Sequence, residues 1–534
     1  MPRDLQYNYI VIGSGFGGSV SALRLAEKGY KVLVLEKGKR LGAKDFPRTN
    51  WNLKRWLWLP GLRFFGFFKL TWFRHVTILS GVGVGGGSLV YANTLTVPKQ
   101  SFFRAASWAP LADWEQELME FYALASAMLG RVPCPRFETG DKALKILAEQ
   151  IGKSERFEPT KVAVFFGEPE KTVPDPYFNG KGPDRSGCTF CGGCMVGCRY
   201  NAKNTLDKNY LYLAEQLGAV IQPEAEVFEI HPLGKPDGSD GYRVKWRTST
   251  SFFGKKGEYT CGGVVFSGGV LGTVPLLLKL RQSFLPNLSQ KVGSCIRTNS
   301  ESLIGITSLD KGTVFSDGVA ISSILHSDDH SHVEPVRYPA GSGFWRLFEI
   351  PLSQGSNMLV RLLKVVGDLV LHPVRNLRVY FVGDWAKRTQ ILLFMQTLDS
   401  TLRFSRGWFG MKSSSETGQR PTAFVPEAGA LSGRYAKIVK GKPMVLLTET
   451  LFGIPTTAHI LGGCVMGRNG DEGVIDRDNR VFGYENMYVC DGSMISANPG
   501  VNPALTIAAL SERAMSKIPK NMGARSDIDV ASSG

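Results

Sequence analysis

The N-terminal part of the chain alternates between short apolar runs and turn residues. Residues Tyr9 to Ile12 are apolar and favour a strand, and a run typical of a helix extends from Ser19 to Lys28. Gly29 ends that helix, and the apolar run from Lys31 to Leu35 favours a second strand. This order of elements predicts a βαβ unit at the start of the chain.

The turn between the first strand and the helix has the pattern G-x-G-x-x-G. Gly13 permits a tight turn, Gly15 lets the backbone approach a pyrophosphate, and Gly18 packs the helix against the strand. The N-terminus of the helix favours an anion, and Glu36 after the second strand favours a ribose hydroxyl. Phe16, within the turn, is a further candidate for contact with the cofactor. The unit predicts a dinucleotide site without choosing between NAD and FAD.

A second glycine-rich loop lies further along the chain, and its ligand candidates are Gly81, Gly85, Gly86 and Ser88. Apolar residues flank the loop on both sides, and Asn93 follows it. Glycine at this density indicates unusual backbone conformations or close approach to a ligand. We therefore expect a buried loop in contact with the cofactor, with a flexible loop as the alternative.

The C-terminal region carries three further motifs. They are His459-Ile-Leu-Gly-Gly-Cys464, Asp491-Gly492-Ser493 and Asn498-Pro-Gly-Val-Asn502-Pro503. The apolar run from Ile507 to Met515 that follows them predicts a helix.

Together these motifs resemble the glucose–methanol–choline (GMC) family of flavin oxidoreductases over nearly the whole chain. The resemblance implies an α/β fold with a Rossmann-like FAD-binding domain and a substrate domain of mainly antiparallel sheet plus helices. It implies a discontinuous FAD-binding domain (1–100, 186–300 and 455–534) and a substrate domain (101–185 and 301–454), with the cysteine-rich loop 186–205 at their junction. It also implies that FAD contacts Asp491, Gly492, Asn502 and Pro503.

Within this family the chain most resembles the cholesterol oxidases of actinobacterial type, which hold FAD without a covalent bond. The stretches that carry this likeness are Val173–Phe178, Arg297–Ser302 and His332–Tyr338. The likeness implies oxidation of a secondary alcohol by FAD. The expected substrate is a 3β-hydroxysterol such as cholesterol and the product a 3-ketosteroid, with Δ5-to-Δ4 isomerisation as a further expected step.

The resemblance also assigns roles to three side chains. His459 is the expected base, and Asn502 is expected to polarise the substrate oxygen. Glu334 resembles the glutamate that transfers protons in steroid-oxidising members, with a purely structural role as the alternative. The other histidines of this region, His326, His330 and His332, lie in a polar stretch and are expected to be solvated.

Four cysteines follow the spacing C-x2-C-x2-C-x3-C; they are Cys188, Cys191, Cys194 and Cys198. This spacing is that of bacterial ferredoxin ligands and predicts a [4Fe–4S] or [3Fe–4S] cluster. A zinc site, a redox disulfide and free thiols stay open as alternatives. A cluster would pass electrons to a carrier protein, whereas oxygen would be the acceptor without one.

Residues 51–74 combine tryptophan and phenylalanine with lysine and arginine, and 358–382 are similarly apolar and basic. This composition predicts a peripheral membrane contact through 51–74, because so many cations are costly to bury. The alternative is an internal loop that lines the substrate channel or covers FAD. No apolar run reaches the length of a spanning helix, and no secretory signal is evident, so we expect a cytoplasmic protein at the membrane surface.

The formal net charge of +16 favours anionic partners. We expect no nucleic acid partner, since no nucleic-acid-binding motif accompanies the charge. Two other functions stay open. One is dehydrogenation of another lipophilic alcohol with electrons leaving through an iron–sulfur cluster, and the other is a membrane-associated flavin subunit that relays electrons.

Overall fold

A mostly parallel sheet gathers strands from three distant segments of the chain. The computed structural model describes residues 5–251, 253–353, 355, 357–408, 410–416 and 420–521. The small polar residues from Gly523 onward predict a disordered tail, which lies outside these residues. Within them, this first sheet has seven strands, in the spatial order Val220–Gln222, Val32–Leu35, Tyr7–Ile12, Lys256–Phe266, Tyr242–Thr248 and Ala225–Pro232, with Met487–Val489 also paired to Lys256–Phe266.

The predicted βαβ unit is confirmed, with its helix at Phe16–Glu27 between Tyr7–Ile12 and Val32–Leu35. Both strands pair in parallel. The helix begins earlier than Ser19 and includes two glycines. A Cβ at Gly17 would lie 1.7 Å from the carbonyl oxygen of Cys490, so close packing against the C-terminal motif requires glycine there.

A second sheet of seven strands is antiparallel throughout the residues that the structure describes. Its strands lie in the order Glu349–Pro351, Gly441–Leu446, Ser302–Ser308, Thr389–Gln396, Ser331–Val336, Ser323–Leu325 and Phe157–Pro159. The helices Thr139–Gln150 and Pro426–Ile438 share a hydrophobic core with one face of this sheet. The fold class expected from the sequence is therefore confirmed.

The remaining elements connect and cover the two sheets. The other helices are Leu53–Trp56, Gln100–Phe103, Trp114–Met128, Tyr210–Gln216, Val270–Arg281, Met358–Leu371, Pro373–Tyr380, Trp385–Arg388, Leu447–Phe452 and Ala504–Ser516. The other strands are Trp58–Leu59, Phe64–Phe65, Phe68–Trp72, Thr77–Gly81, Arg131–Pro133, Lys161–Ala163, Thr172–Val173, Arg185–Ser186, Ile296–Arg297, Thr401–Gly407, Gly410–Ser415 and Thr456–Thr457.

The C-terminal helix predicted from Ile507 to Met515 spans Ala504–Ser516 and packs against the helix of the βαβ unit. The first sheet draws its strands from the segments expected for the FAD-binding domain, and the second sheet draws its strands from those expected for the substrate domain. The domain boundaries themselves stay a prediction. Among the described residues, no helix is long and apolar enough to cross a membrane.

Candidate active site

A cavity of about 820 Å³ lies between the two sheets. At one end its wall is formed by the first glycine loop, including Gly13 and Gly15, and at the other by Leu303 and Leu393 of the second sheet. His459 is also part of the wall. This volume falls within the range of about 300–1,000 Å³ that is usual for small-molecule and cofactor sites.

The glycines of the two loops have different structural roles. Gly13 has a φ of +102°, and a Cβ there would lie 2.3 Å from the carbonyl oxygen of Ser267. A Cβ at Gly86 would lie 2.7 Å from the Cα of Gly15, so the two glycine loops touch. A Cβ at Gly15 itself would meet no atom within 4 Å. Gly13 and Gly86 therefore permit close packing, whereas Gly15 presents bare backbone to the cavity.

Glu36 binds the glycine loops together as well as lining the cavity. Its Oε2 accepts hydrogen bonds from the backbone N–H of Ser14 at 3.0 Å and the Ser14 hydroxyl at 2.7 Å, and its Oε1 accepts one from Gly38 at 2.7 Å. The Ser14 hydroxyl oxygen in turn accepts from the N–H of Gly85 at 3.1 Å. The carboxylate keeps further acceptor capacity for a ribose hydroxyl, because each oxygen has two lone pairs.

Asp491 joins the C-terminal motif to the helix Val270–Arg281. Its Oδ2 accepts from the N–H of Gly269 at 2.9 Å and from the hydroxyl of Thr273 at 2.5 Å. Its Oδ1 accepts from the N–H of Ser493 at 2.8 Å. These bonds fix the loop before the helix. A Cβ at Gly269 would meet no atom within 4 Å, so the backbone of this loop is open to the cavity.

The structure brings most of the predicted cofactor residues to the cavity wall. Those in the wall are Gly13, Gly15, Phe16, Glu36, Gly81, Gly86, Asp491, Gly492, Asn502 and Pro503. Those behind it are Gly18, Gly85, Ser88 and Asn93. Gly18 packs tightly on Gly13, and the Ser88 hydroxyl donates to the carbonyl of Gly85 at 2.7 Å, so both support the loops from behind.

The residues around the cavity fit the flavin dinucleotide that the family resemblance implies. Asn93 is fully buried with a φ of 71°, and neither of its side-chain polar atoms has a hydrogen-bond partner. The hydroxyl of Thr94, which does line the cavity, is buried and unpartnered too. Buried polar groups without partners are costly, so such groups beside bare glycine backbone fit a polar ligand.

His459 is held by a glutamate that the sequence did not single out. Its Nδ1 lies 2.8 Å from Oε1 of Glu301, whose side chain is fully buried. The same Oε1 accepts from the Thr457 hydroxyl at 2.8 Å, and Oε2 accepts from the N–H of Ala458 at 3.0 Å. Burial acts to lower the pKa of His459, but the charge and hydrogen bond of Glu301 outweigh it and raise that pKa.

Glu334 lies directly behind Asn502. The Asn502 amide donates through Nδ2 to Oε2 of Glu334 at 3.4 Å, while Oδ1 of Asn502 is buried without a partner. Glu334 is fully buried and is absent from the cavity wall, which holds Asn502 and His459. Burial raises the pKa of Glu334 to about 8. The three predicted catalytic residues therefore converge on one end of the cavity.

The expectation that His332 is solvated is wrong. His332 is only 1% exposed, because its segment forms a central strand of the second sheet, Ser331–Val336. Its Nε2 lies 3.6 Å from Oε1 of Glu334. His330 is exposed as expected, and His326 lies between these extremes.

The structure gives the predicted iron–sulfur site no support. Among the described residues, which include the whole cysteine run, no group of three or more His, Cys, Asp or Glu side chains is arranged to hold a metal ion. Cys188 is buried in a small apolar cluster with Val162 and Val319, whereas Cys191 is exposed. Burial raises the pKa of Cys194 to about 11.

Two buried carboxyl groups, Glu349 in the cavity wall and Glu301 behind His459, were not singled out from the sequence. Glu301 is 158 positions from its partner His459, so no local spacing reveals the pair. Glu349 lines the cavity at the second sheet, where its Oε2 accepts from the indole N–H of Trp385 at 3.0 Å. Burial raises the pKa of Glu349 to about 7.

The aromatic and basic segment 51–74 divides into an internal and an external part. Trp56, Trp58 and Phe67 are buried, and the segment contributes Phe68 and Lys69 to the cavity wall. The internal-loop alternative therefore describes part of the segment. On its outer side the apolar side chains that stay exposed are Trp51, Leu59, Leu62 and Trp72.

Comparison with known proteins agrees with this geometry. A family model described as GMC oxidoreductase matches residues 446–511, and one described as an NAD(P)-binding Rossmann-like domain matches 11–55. The chain is 48% identical to a cholesterol oxidase from Acinetobacter baumannii, covering 97% of this chain and 95% of that protein. It is 42% identical to a cholesterol oxidase from Mycobacterium tuberculosis (strain CDC 1551 / Oshkosh), covering 96% and 91%.

Among solved structures, pyridoxine 4-oxidase from Mesorbium loti matches with a TM-score of 0.59 and 13% identity, over 95% of this chain and 98% of that one. This likeness concerns the fold alone. The alignments with these two cholesterol oxidases span nearly the full length of both proteins. The chain therefore belongs to the GMC oxidoreductase family, in the group that contains the cholesterol oxidases.

Proposed function

We propose that this protein oxidises the 3β-hydroxyl group of a sterol such as cholesterol to a ketone, with FAD as its cofactor. The observation that carries the proposal is one continuous cavity that joins a dinucleotide fingerprint to the wall residues His459 and Asn502. The cholesterol oxidases with which the chain shares nearly half of its residues support the choice of a sterol. Oxygen is the proposed acceptor.

The residues that would hold FAD line the cavity and leave space for the cofactor. Gly15 would receive the pyrophosphate, Glu36 the ribose, and the loop from Gly81 to Gly86 the remainder of the dinucleotide. When bound, FAD accepts the hydride that leaves the carbinol carbon. The protein supplies the site for the alcohol and the path for its proton.

The hydroxyl proton is the part of the chemistry that this chain must handle. His459 donates its Nδ1 proton to Glu301, which leaves Nε2 free to accept a proton from the substrate hydroxyl. Asn502 uses one amide hydrogen on Glu334 and keeps the second for the substrate oxygen. Glu301 thus orients the base, and Asn502 orients the alcohol.

Isomerisation of the double bond would need a second proton transfer. Moving the bond from Δ5 to Δ4 takes a proton from one ring carbon and returns one to another, so the group responsible must change protonation state near neutral pH. Glu334 meets this requirement, because burial raises its pKa to about 8 and it lies one hydrogen bond behind Asn502.

We further propose that the protein contacts the membrane through two neighbouring helices, Met358–Leu371 and Pro373–Tyr380, which we call the helical hairpin. Its apolar side chains are unusually exposed, with Leu363 at 62% and Leu371 at 75%. Over 358–380 its exposed cations are Lys364, Arg375 and Arg378, and its single acidic residue is Asp368, while Arg361 is buried. Apolar residues beside cations suit an anionic lipid surface.

The position of the helical hairpin agrees with access to a sterol. Its first helix packs against the strand Glu349–Pro351 and the helix Leu447–Phe452. Glu349 of this strand lines the cavity, and so does Leu446, which directly precedes this helix. A sterol could thus pass from the lipid to the cavity without crossing water. Cytoplasmic location stays a prediction.

The function is tested by product analysis. Purified flavoprotein is incubated with cholesterol in air, the steroids are separated, and hydrogen peroxide is measured in the same sample. We expect a 3-ketosteroid and an equal amount of peroxide, with the Δ4 isomer as the final product. The 3α-epimer of cholesterol serves as the stereochemical control. Absence of any ketone from cholesterol would contradict the proposal.

A further inference from the structure

A row of buried polar groups leads from the active site to a second cavity, which lies beside the strands Ser323–Leu325 and Phe157–Pro159 of the second sheet. It begins at Asn502 in the cavity wall and continues to Glu334 at 3.4 Å. Oε1 of Glu334 then lies 3.6 Å from Nε2 of His332. The ring of His332 lies 5.8 Å from the ring of His326, measured between centroids. Glu334 and His332 are both inaccessible, at 0% and 1% exposure.

The facing atoms in this row have no other partners. Oε1 of Glu334, Nε2 of His332 and Nδ1 of His326 are all buried without a hydrogen bond. A buried polar atom without a partner is costly, and here three occur in one row. A proton placed between Glu334 and His332 would satisfy both of their facing atoms after a small closing movement. The arrangement is therefore one in which protons can be shared.

The row ends at a second cavity that is separate from the first. This cavity has a volume of about 520 Å³ and is lined by His326, Glu158, Asp328 and Asp329, among others. Nε2 of His326 lies 3.2 Å from Oε1 of Glu158, a side chain that is 59% exposed. His326 thus connects the buried groups to a carboxylate in contact with solvent.

The charges around the row favour a neutral imidazole at its centre. Burial lowers the pKa of His332 well below its usual value, and the positive charges that His326, Lys99 and His459 carry when protonated act in the same direction. Glu334 is the acidic group that faces His332. A neutral imidazole can take a proton on one nitrogen while it releases the proton on the other, so it need not hold a charge to pass one on.

We propose that the hydroxyl proton released in each turnover leaves the active site through Glu334, His332 and His326 and enters the second cavity. The proposal rests on the proposed alcohol oxidation. In that reaction the O–H and C–H bonds of the alcohol break and the carbonyl bond forms. The hydride carries both electrons to the flavin, so only a proton travels along the row. From Nε2 of His459, which accepts it, the proton passes to Glu334, whose charge interacts with that of His459. It then passes to Nε2 of His332, from the other ring nitrogen of His332 to His326, and from His326 to Glu158 and water.

The test measures the rate of flavin reduction by cholesterol without oxygen, as a function of pH. The variant H332F removes both ring nitrogens and keeps an aromatic ring at the position. We expect this rate to fall by at least about tenfold. A loss of this size is smaller than the loss of about 100- to 10,000-fold that is usual when a positioned proton acceptor is removed. FAD content and sterol affinity should stay unchanged. Added imidazole should restore much of the rate, since a small base can replace the missing relay.

A second variant shows whether slow flavin reduction in H332F merely reflects a folding defect. His326 is partly accessible at the second cavity, so H326F should fold and should slow flavin reduction in the same way. H330Q is the matched control, because His330 is exposed in the same stretch and does not belong to the row. We expect H330Q to keep the wild-type rate and pH profile.

The outcomes separate the relay from the function on which it rests. Wild-type reduction rates and pH profiles in both H332F and H326F would overturn the relay. A slow H332F that imidazole does not restore and whose pH profile is unchanged would also overturn it, because that pattern indicates a structural defect. If sterols fail to reduce the flavin of the wild-type protein, the proposed function falls and the relay with it.

Discussion

At the scale of single residues, the active site depends on a pair that is distant in sequence. Glu301 and His459 are 158 positions apart and approach to 2.8 Å. His459 was predicted from its motif, but Glu301 was not, because only the packing of the second sheet against the C-terminal motif reveals the contact. For His332 the sequence predicted the wrong environment. Its polar neighbours indicated a solvated stretch, yet pairing with the strand Thr389–Gln396 buries it.

Removing the charge of Glu301 should change the pH dependence of catalysis. Glu301 raises the pKa of His459, so its loss in E301Q lowers that pKa. A base must be neutral to accept a proton, and the rate therefore rises with pH through the pKa of His459. We expect the rising limb of the pH–rate profile to move to lower pH in E301Q. The profile of flavin reduction by cholesterol measures this shift.

The same variant should also lose catalytic rate, because the imidazole is no longer oriented. We expect a fall in kcat of about 100-fold, at the low end of the range for general acid–base catalysis. E472Q is a suitable control, since Glu472 pairs with Arg468 at 2.7 Å on the surface. An E301Q profile that coincides with that of the wild type would show that His459 does not act through Glu301.

Replacing His459 itself should remove the proton acceptor in the cavity wall. We expect H459N to bind FAD with its normal spectrum and to lose kcat by about 100- to 10,000-fold. Steady-state turnover of cholesterol, corrected for flavin content, measures the loss. Nearly full activity in H459N would transfer the role of base to Glu334.

At the scale of elements, the sequence predicted what local pattern determines. The βαβ unit follows from apolar runs and glycine spacing that lie within forty residues. The start of its helix was misplaced, because glycine disfavours helices by about 1 kcal/mol and only the tight contact of Gly17 with Cys490 explains its presence. The cysteine run has the spacing of cluster ligands, but the structure gives such a site no support, and spacing alone does not show that Cys188 lies in an apolar cluster.

Two neighbouring glycines of this unit should separate cofactor binding from folding. Gly15 has open space beside it and an ordinary φ of −71°, so G15A should fold normally. Its methyl group enters the cavity, and we expect the Kd for FAD to rise about tenfold, or about 1.4 kcal/mol. G13A should instead lower the free energy of unfolding by at least about 1–3 kcal/mol, because it adds backbone strain at a φ of +102° and a clash with the carbonyl oxygen of Ser267.

Flavin titration of the apoprotein and its thermal unfolding distinguish the two variants of this pair. The apoprotein is the right sample for unfolding, because bound FAD would itself stabilise the fold. If G15A destabilises the apoprotein as much as G13A does, the claim that Gly15 serves the cofactor is wrong.

The helical hairpin should lose lipid binding when its exposed apolar face is charged. Leu363 and Leu371 are 62% and 75% exposed, so L363E and L371E should fold normally. Burying a leucine in lipid contributes about 1.5–3 kcal/mol, and we expect at least tenfold weaker binding for each variant. Sedimentation with anionic vesicles measures it. Val220, 46% exposed at the edge of the first sheet, provides the control V220E, which should bind like the wild type.

At the scale of the whole molecule, the net charge of +16 should make vesicle binding depend on salt. The screening length falls from about 10 Å at 0.1 M to about 3 Å at 1 M salt, so attraction to anionic lipid weakens. We expect binding to anionic vesicles to fall steeply over this range. Turnover of cholesterol dispersed in neutral detergent should change little. Binding that ignores salt would show that charge does not draw the protein to the membrane.

The central claim is that a sterol reduces a flavin bound in the cavity between the two sheets. The most direct measurement is an anaerobic titration of the purified holoprotein with cholesterol, in which the flavin absorbance and the steroid product are followed together. The account predicts that the flavin bleaches and that one ketosteroid forms for each flavin reduced. A flavin that stays oxidised in the presence of excess cholesterol would contradict the account.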